Sequence, residues 1–600
     1  LSGDYNFAAG HCALYSNWGG SNNTSIGKCT LKLNTTGCYN TGIGFRSLHS
    51  NTTGGFNTAI GGTDALYNNT TGVSNIAIGQ DTLRANTEGN CNIALGNVAL
   101  CNNIDGDHNQ AIGSYALFSN TTGTYNAAIG NIALCGNTTG SYNNAIGQAA
   151  LRQNIAGCYN TAIGNSALYS NLSGNDNFAV GRCALCKNTT GDYNQGIGFN
   201  ALFSNIAGGS NTGIGRSSLY SNISAFYNTA IGSYALRLNT EGEGNTAIGY
   251  VALCSNTTAD YNTAIGHCAL CTNTTGHSNV AIGPVALKNN TTGSRNQAIG
   301  CFALCSNTTG YDNQAVGYNT LKSNTVGCCN IGMGRDTLSQ SVTGSYNTAI
   351  GYSAMYGNLY GDNNVAIGCQ ALTANTRGSN NNALGQVALG SNTTGCHNQA
   401  IGTSALYSNT TGCGNQAIGY GSLYKNKTGT NNTAIGQSAL WASVSGNHNF
   451  AAGQYALYSN WGGCSNTAIG NNALQSNTTG GDNIALGQYA LYNNADGDNN
   501  ISLGVQSGRY LADGSTALTS PDNSTYIGAC TRGAAVGDSN VTVIGHCACA
   551  CGDNTVSIGN GDVTATHING NLVLPDIPTS DPGVVNALWS DSGALKISSG

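Results

Sequence analysis

The chain has 600 residues, of which only 7% are charged, and 19 Lys and Arg against 25 Asp and Glu leave a formal net charge of −6. With 40% apolar residues, 87 glycines and 5 prolines, it is neither collagen-like nor Pro-rich, and it lacks the charged, apolar-poor composition of a disordered chain. A phosphate-tracking nucleic-acid binder needs clustered Lys and Arg that are missing here. No run of about 18 apolar residues offers a transmembrane helix, so no membrane insertion is expected. The start at Leu1, without methionine or a signal-peptide pattern, reads as cropped or processed.

From the first residues onward one period dominates. Taking the glycine of "AIG" as an anchor, it falls at Gly10, Gly27, Gly44 and Gly61, then from Gly79 in steps of 17 to Gly504, which makes 30 anchors with a single one-residue insertion between Gly61 and Leu66. Four residues before every anchor stands asparagine, and the residue just before it is apolar, usually isoleucine. Four residues after it stands leucine, replaced once by Met355 and at the last anchor by Gly508. Asparagine follows three further on, broken by Ser341 and Ser443. Glycine follows three beyond that, broken by Ala225 and Ala259.

Seventeen residues are too few for a helical repeat, which needs about 33. Two short extended segments with Gly and Asn-Thr-Thr-Gly corners fit better. Coils stacked about 4.8 Å apart place Ile over Ile and Leu over Leu as the core. The fold expected is all-β, a parallel β-solenoid or β-roll of 17-residue coils over residues 1–504, about 140 Å long at that rise. Asparagines at one phase, such as Asn6, Asn23 and Asn40 or Asn262, Asn279 and Asn296, should form structural ladders. So slight a core commonly depends on oligomerisation. The alanines two before and three after each anchor would let neighbouring chains approach closely, which favours a homotrimer, with end-to-end assembly as the other self-association.

After Gly504 the period loosens, so residues 505–574 read as irregular terminal β coils and 575–600 as a C-terminal tail segment. The "NTAIG…AL…NTTG" coils resemble the repeats of phage and virus tail fibres, and are similar to the coils of trimeric autotransporter adhesin heads. The coil here is longer than in those heads. The stretches 523–530 and 540–575 resemble terminal coils of such fibres, and 578–600 looks like a terminal segment of phage structural proteins. The resemblance implies a trimeric, extracellular or virion-surface fibre that attaches to a host receptor or glycan. A bacterial adhesin or filament subunit is the alternative. An ice-binding solenoid is disfavoured, because the position three before the anchor varies among Thr, Gln, Ile, Val, Asn and Phe.

The 24 cysteines need a reason. Cys183/Cys186 and Cys268/Cys271 have the C-x-x-C spacing of zinc or thiol-redox sites. Placed across a strand, however, residues three apart face opposite ways. Same-phase pairs in adjacent coils are better candidates for inter-coil disulfides: Cys12 with Cys29, Cys254 with Cys271, and Cys396 with Cys413, each pair about one coil rise apart and inside the bridging range. Cys547, Cys549 and Cys551 alternate and should share a face. Tyrosines five after the anchor (Tyr15, Tyr169, Tyr220, Tyr407, Tyr458) suggest an aromatic ladder or a seam between chains. The recurring Asn-Thr-Thr corners are formal glycosylation sequons. No recurrent Ser-His-Asp or paired-carboxylate set points to catalysis, and no cofactor or metal is expected.

Overall fold

The computed structural model describes residues 3–567, 569, 577–580, 582–583, 588–591 and 594–597. The chain divides into two compact units, Leu1–Asn432 and Thr433–Gly600. The first unit stacks 25 short strands, β1 (Phe7–Ala9) to β25 (Gln416–Ile418). The second stacks β26 (Thr433–Ile435) to β33 (Val556–Ile558) and adds an antiparallel pair, β34 (Leu588–Asp591) with β35 (Ala594–Ile597). Neighbouring coils pair in parallel and in phase, as in Thr161↔Phe178, Ala162↔Ala179 and Ile163↔Val180. The architecture is a parallel β-solenoid of 17-residue coils, and no helix occurs among the described residues. The tail segment 575–600 lies largely outside them.

Each coil contributes one strand rather than two. The expected second segment, the "AL" stretch, turns instead, because residues two and four after the anchor take left-handed φ, +55° at Cys268 and +50° at Leu270. Backbone pairing nevertheless continues through these turns: Leu270 N–H donates to Ala286 O at 3.0 Å and Thr272 N–H to Lys288 O at 3.1 Å. A non-glycine residue in that region costs about 1 kcal/mol or more. Burying the leucine side chain returns roughly 1.5–3 kcal/mol, which requires coils above and below.

The anchor glycines are obligatory. At Gly266 φ is +136°, and an added Cβ would lie 2.6 Å from the carbonyl oxygen of Gly283 in the next coil. Bare backbone stacks on bare backbone along this column.

The core differs from the expected Ile-and-Leu pair. In a representative coil Ala264, Ala269, Leu270, Asn262 and Asn273 are fully buried. The residue before the anchor points outward, with Ile112, Ile231 and Ile299 each 37–38% exposed. Alternation in a three-residue strand sends either Ala or Ile inward, and the narrow coil has room only for Ala. The alanines therefore fill each chain's own core and are not available for contact between chains. Space there is tight: Thr30 and Thr320 each face a glycine in the next coil, Gly42 and Gly332, where a Cβ would sit 2.6 Å from the threonine methyl.

Two irregularities have local causes. The inserted residue shifts the register between β3 (Thr41–Phe45) and β4 (Thr58–Thr63). There the buried Asp64 accepts from Arg46 Nη2 at 2.7 Å. Further along, β30 (Ile501–Leu503) pairs with β31 (Thr525–Ile527). That step is 24 residues (501 to 525), and the next two are 17 (525 to 542) and 14 (542 to 556). Tyr526 stands where an inward alanine would be, and it is fully buried. Gly508, the missing leucine, makes room: a Cβ there would lie 3.1 Å from both Leu491 and the Tyr526 ring. Tyr526 OH donates to the buried Asp538 at 3.3 Å, and burial pushes its phenol pKa up.

Candidate functional site

The most regular side-chain arrays are two asparagine columns. In the first, Asn23 N–H and Nδ2 donate to Asn6 Oδ1 at 3.0 and 3.1 Å, and Asn40 N–H donates to Asn23 Oδ1 at 2.9 Å. Asn262, Asn279 and Asn296 repeat the arrangement, with N–H donating to the preceding Oδ1 at 2.9 Å in both steps. In these residues Nδ2 also closes the coil onto a corner carbonyl, as Asn23 does on Gly37 O at 2.9 Å. The second column is a side-chain amide ladder: Asn34 Nδ2 donates to Asn17 Oδ1 and Asn51 Nδ2 to Asn34 Oδ1, both at 2.7 Å. Ser341 interrupts it, leaving buried Asn324 Oδ1 and Ser341 Oγ without partners. Alanine at 225 strains it too: Asn239 Nδ2 reaches Asn222 Oδ1 only at 3.2 Å.

All 24 cysteines are free thiols, including Cys12, Cys29, Cys254, Cys271, Cys396 and Cys413. Cys396 and Cys413 are engaged otherwise, since Cys413 Sγ accepts from Cys396 N–H at 3.1 Å and donates to Thr411 O at 3.5 Å. That phase, six before the anchor, is an acceptor position where Ser, Asp, Asn or Cys fills it, as at Ser21, Asp107, Asn90 and Cys38. Asp107 Oδ1 accepts from Asn90 N–H at 2.6 Å and Cys38 Sγ from Ser21 N–H at 3.3 Å. Sequence reasoning missed this role, although Ser, Asp, Asn and Cys recur there.

The C-x-x-C pairs come together because the segment turns instead of running extended. Cys186 and Cys271 are half-buried, and their thiols are pushed up to about 11, by burial first and then by the neighbouring Cys183 and Cys268. At neutral pH both are protonated, which is unlike an activated nucleophile. In the terminal coils Cys549 Sγ donates to Cys547 O at 3.8 Å, while Cys551 Sγ lies 3.5 Å from Ser557 Oγ.

Aromatic rings stack coil on coil in two columns. The column five after the anchor gives short runs, such as Phe203–Tyr220 and Tyr407–Tyr424 with centroids 5.2 and 5.3 Å apart. The longer run lies five before the anchor, where His108, Tyr125, Tyr142 and Tyr159 stack at 4.7–5.0 Å and remain largely exposed. Its 17-residue recurrence was available in the sequence.

One recess has groups of catalytic type. It is lined by His277, Thr292, Ser294, Arg295, Thr309 and Tyr311, and His277 Nδ1 lies 2.8 Å from Ser294 Oγ. The nearby Asp312 is held by Arg295 at 2.7 and 2.9 Å, which keeps its carboxyl below the usual range. Among the described residues no carboxylate is hydrogen-bonded to the imidazole, so they do not form a triad.

The fold and these columns define a β-solenoid repeat protein. No protein-family model matches the chain, and no curated protein is similar to it.

Proposed function

We propose that this chain is the shaft of a homotrimeric fibre or appendage of a virion, a tail or surface fibre that serves attachment to a host or surface. The observation that carries the reading is the outward isoleucine row. Ile112, Ile129, Ile146 and Ile163 occupy successive strands on one face, each 38–41% exposed. Contiguous exposed apolar surface beyond a few hundred Å² marks an interaction site. Repeated over 25 strands, such a row is long enough to reach the roughly 800 Å² per partner that a stable interface buries.

Three copies packed along a common axis cover all their isoleucine rows at once. Their outer aromatic columns then remain free for weak, repeated contacts with a receptor or glycan, whose strength lies in multiplicity. The chain acts mechanically, without catalysis, outside the cell. Native mass spectrometry of the purified chain tests the assembly, with a closed trimer expected. A monomer overturns the reading, and an open series of masses replaces it with a filament.

A further inference from the structure

We propose that His11, Cys12 and Cys29 form a binding site for a thiophilic metal ion of the zinc class. The ligating atoms of these three residues all lie within 4.8 Å of one another, with His11 Nε2 3.9 Å from Cys12 Sγ. Zinc held at about 2.3 Å by sulfur and about 2.0–2.1 Å by imidazole nitrogen places such atoms roughly 3.6–3.8 Å apart in a tetrahedron. Small side-chain rotations reach that geometry.

The backbone fixes the arrangement. Cys12 and Cys29 occupy the same phase of adjacent coils, with left-handed φ of 60° and 61°, and Cys29 N–H donates to His11 O at 2.8 Å. Side chains leaving identical backbones one coil apart run parallel. A disulfide needs the sulfurs to converge to about 2.05 Å, whereas two parallel thiolates face a common ion readily. His11 is exposed and both cysteines are partly so, which gives an ion access and leaves a fourth position for water.

The combination recurs. Two histidines directly follow an anchor glycine, His11 and His267, and His546 follows the equivalent Gly545 in the terminal coils; each is followed by cysteine. The other two sulfur–imidazole distances are 3.5 and 3.6 Å. Beside Cys547, the preceding coil again supplies a same-phase cysteine, Cys530.

Cobalt(II), the spectroscopic stand-in for zinc, tests the proposal on the reduced full-length chain. Thiolate-to-cobalt charge-transfer and tetrahedral d–d absorption should appear, and excess zinc should bleach them. His11→Ala and Cys29→Ser should each remove one equivalent of bound cobalt. Cys38→Ser, which alters a thiol bonded to a backbone amide, should leave the stoichiometry unchanged. Equal stoichiometry in wild type and both site variants overturns the proposal. So does an octahedral, thiolate-free spectrum, or an equal loss in Cys38→Ser.

Discussion

A single hydroxyl breaks the amide ladder of the first unit. Ser341 is too short to bridge to Asn324, so a buried amide oxygen and a buried hydroxyl both go unpaired. Such groups carry a desolvation cost of about 1–3 kcal/mol. Ser341→Asn should complete the ladder to Asn324 and to Asn358. We expect a gain of roughly 1–2 kcal/mol, seen as slower amide hydrogen exchange in the coils on either side. The paired thiols give a second residue-scale prediction. Cys271 and Cys186 have folded-state pKa values of about 11, raised above the ordinary thiol value of 9.0. Between those two values the unfolded chain loses protons that the folded chain keeps, so stability falls as pH rises above about 9. Iodoacetamide should label Cys271 slowly at pH 8 and progressively faster towards pH 11, followed by peptide mass mapping. Labelling at pH 8 as fast as for a free thiol would contradict the burial.

At the scale of the element, the coil is the unit. Every coil donates and accepts through the same backbone positions, so removing one whole coil preserves all registers. Deleting residues 267–283 should leave a folded, protease-resistant chain, while deleting only 267–274 removes Leu270 and Asn273 but not the rest of the coil, and should abolish resistance across the neighbouring coils. Circular dichroism with limited proteolysis separates the outcomes. The coil's length and its asparagine phases were legible in the sequence because hydrogen-bonded columns tolerate no drift. Which side of the strand faced inward was not legible. Hydrophobicity alone selects Ile, but the choice is made by cross-section: Leu270 and Ala269 already fill the coil, and only Ala264 fits opposite them. The turning of the "AL" stretch was hidden for a related reason. Its left-handed residues are leucine and, two before it, types as varied as Cys268, Val285, Ile132 and Tyr115, which seldom adopt that conformation, and only stacking sustains it.

At the scale of the whole molecule, the proposed trimer rests on the outward isoleucines. Replacing Ile231 and Ile299 by aspartate puts charges on the row without touching any chain's own core. We expect the trimer to dissociate to folded monomers, with unchanged circular dichroism and a threefold fall in native mass. Retention of the trimer would place the interface on another face. The cysteine sites illustrate what a one-dimensional reading leaves out. Cys12 and Cys29 are 17 residues apart in the chain, and their phases placed them side by side. Whether their sulfurs would bond or share a ligand depends on side-chain direction, which the period does not encode.

The exchange of volume between Gly508 and Tyr526 has an evolutionary consequence. Most coils before it share one cross-section, and the near-identical stretches 6–20 and 449–463 look like products of copying between them. Unequal crossing-over within that region lengthens or shortens the chain by whole coils at little cost. A crossover that separates Gly508 from Tyr526 leaves either a void or a collision, so the pair is inherited together. Gain or loss of whole coils is therefore expected on one side of this junction, with the distal segment inherited as a unit.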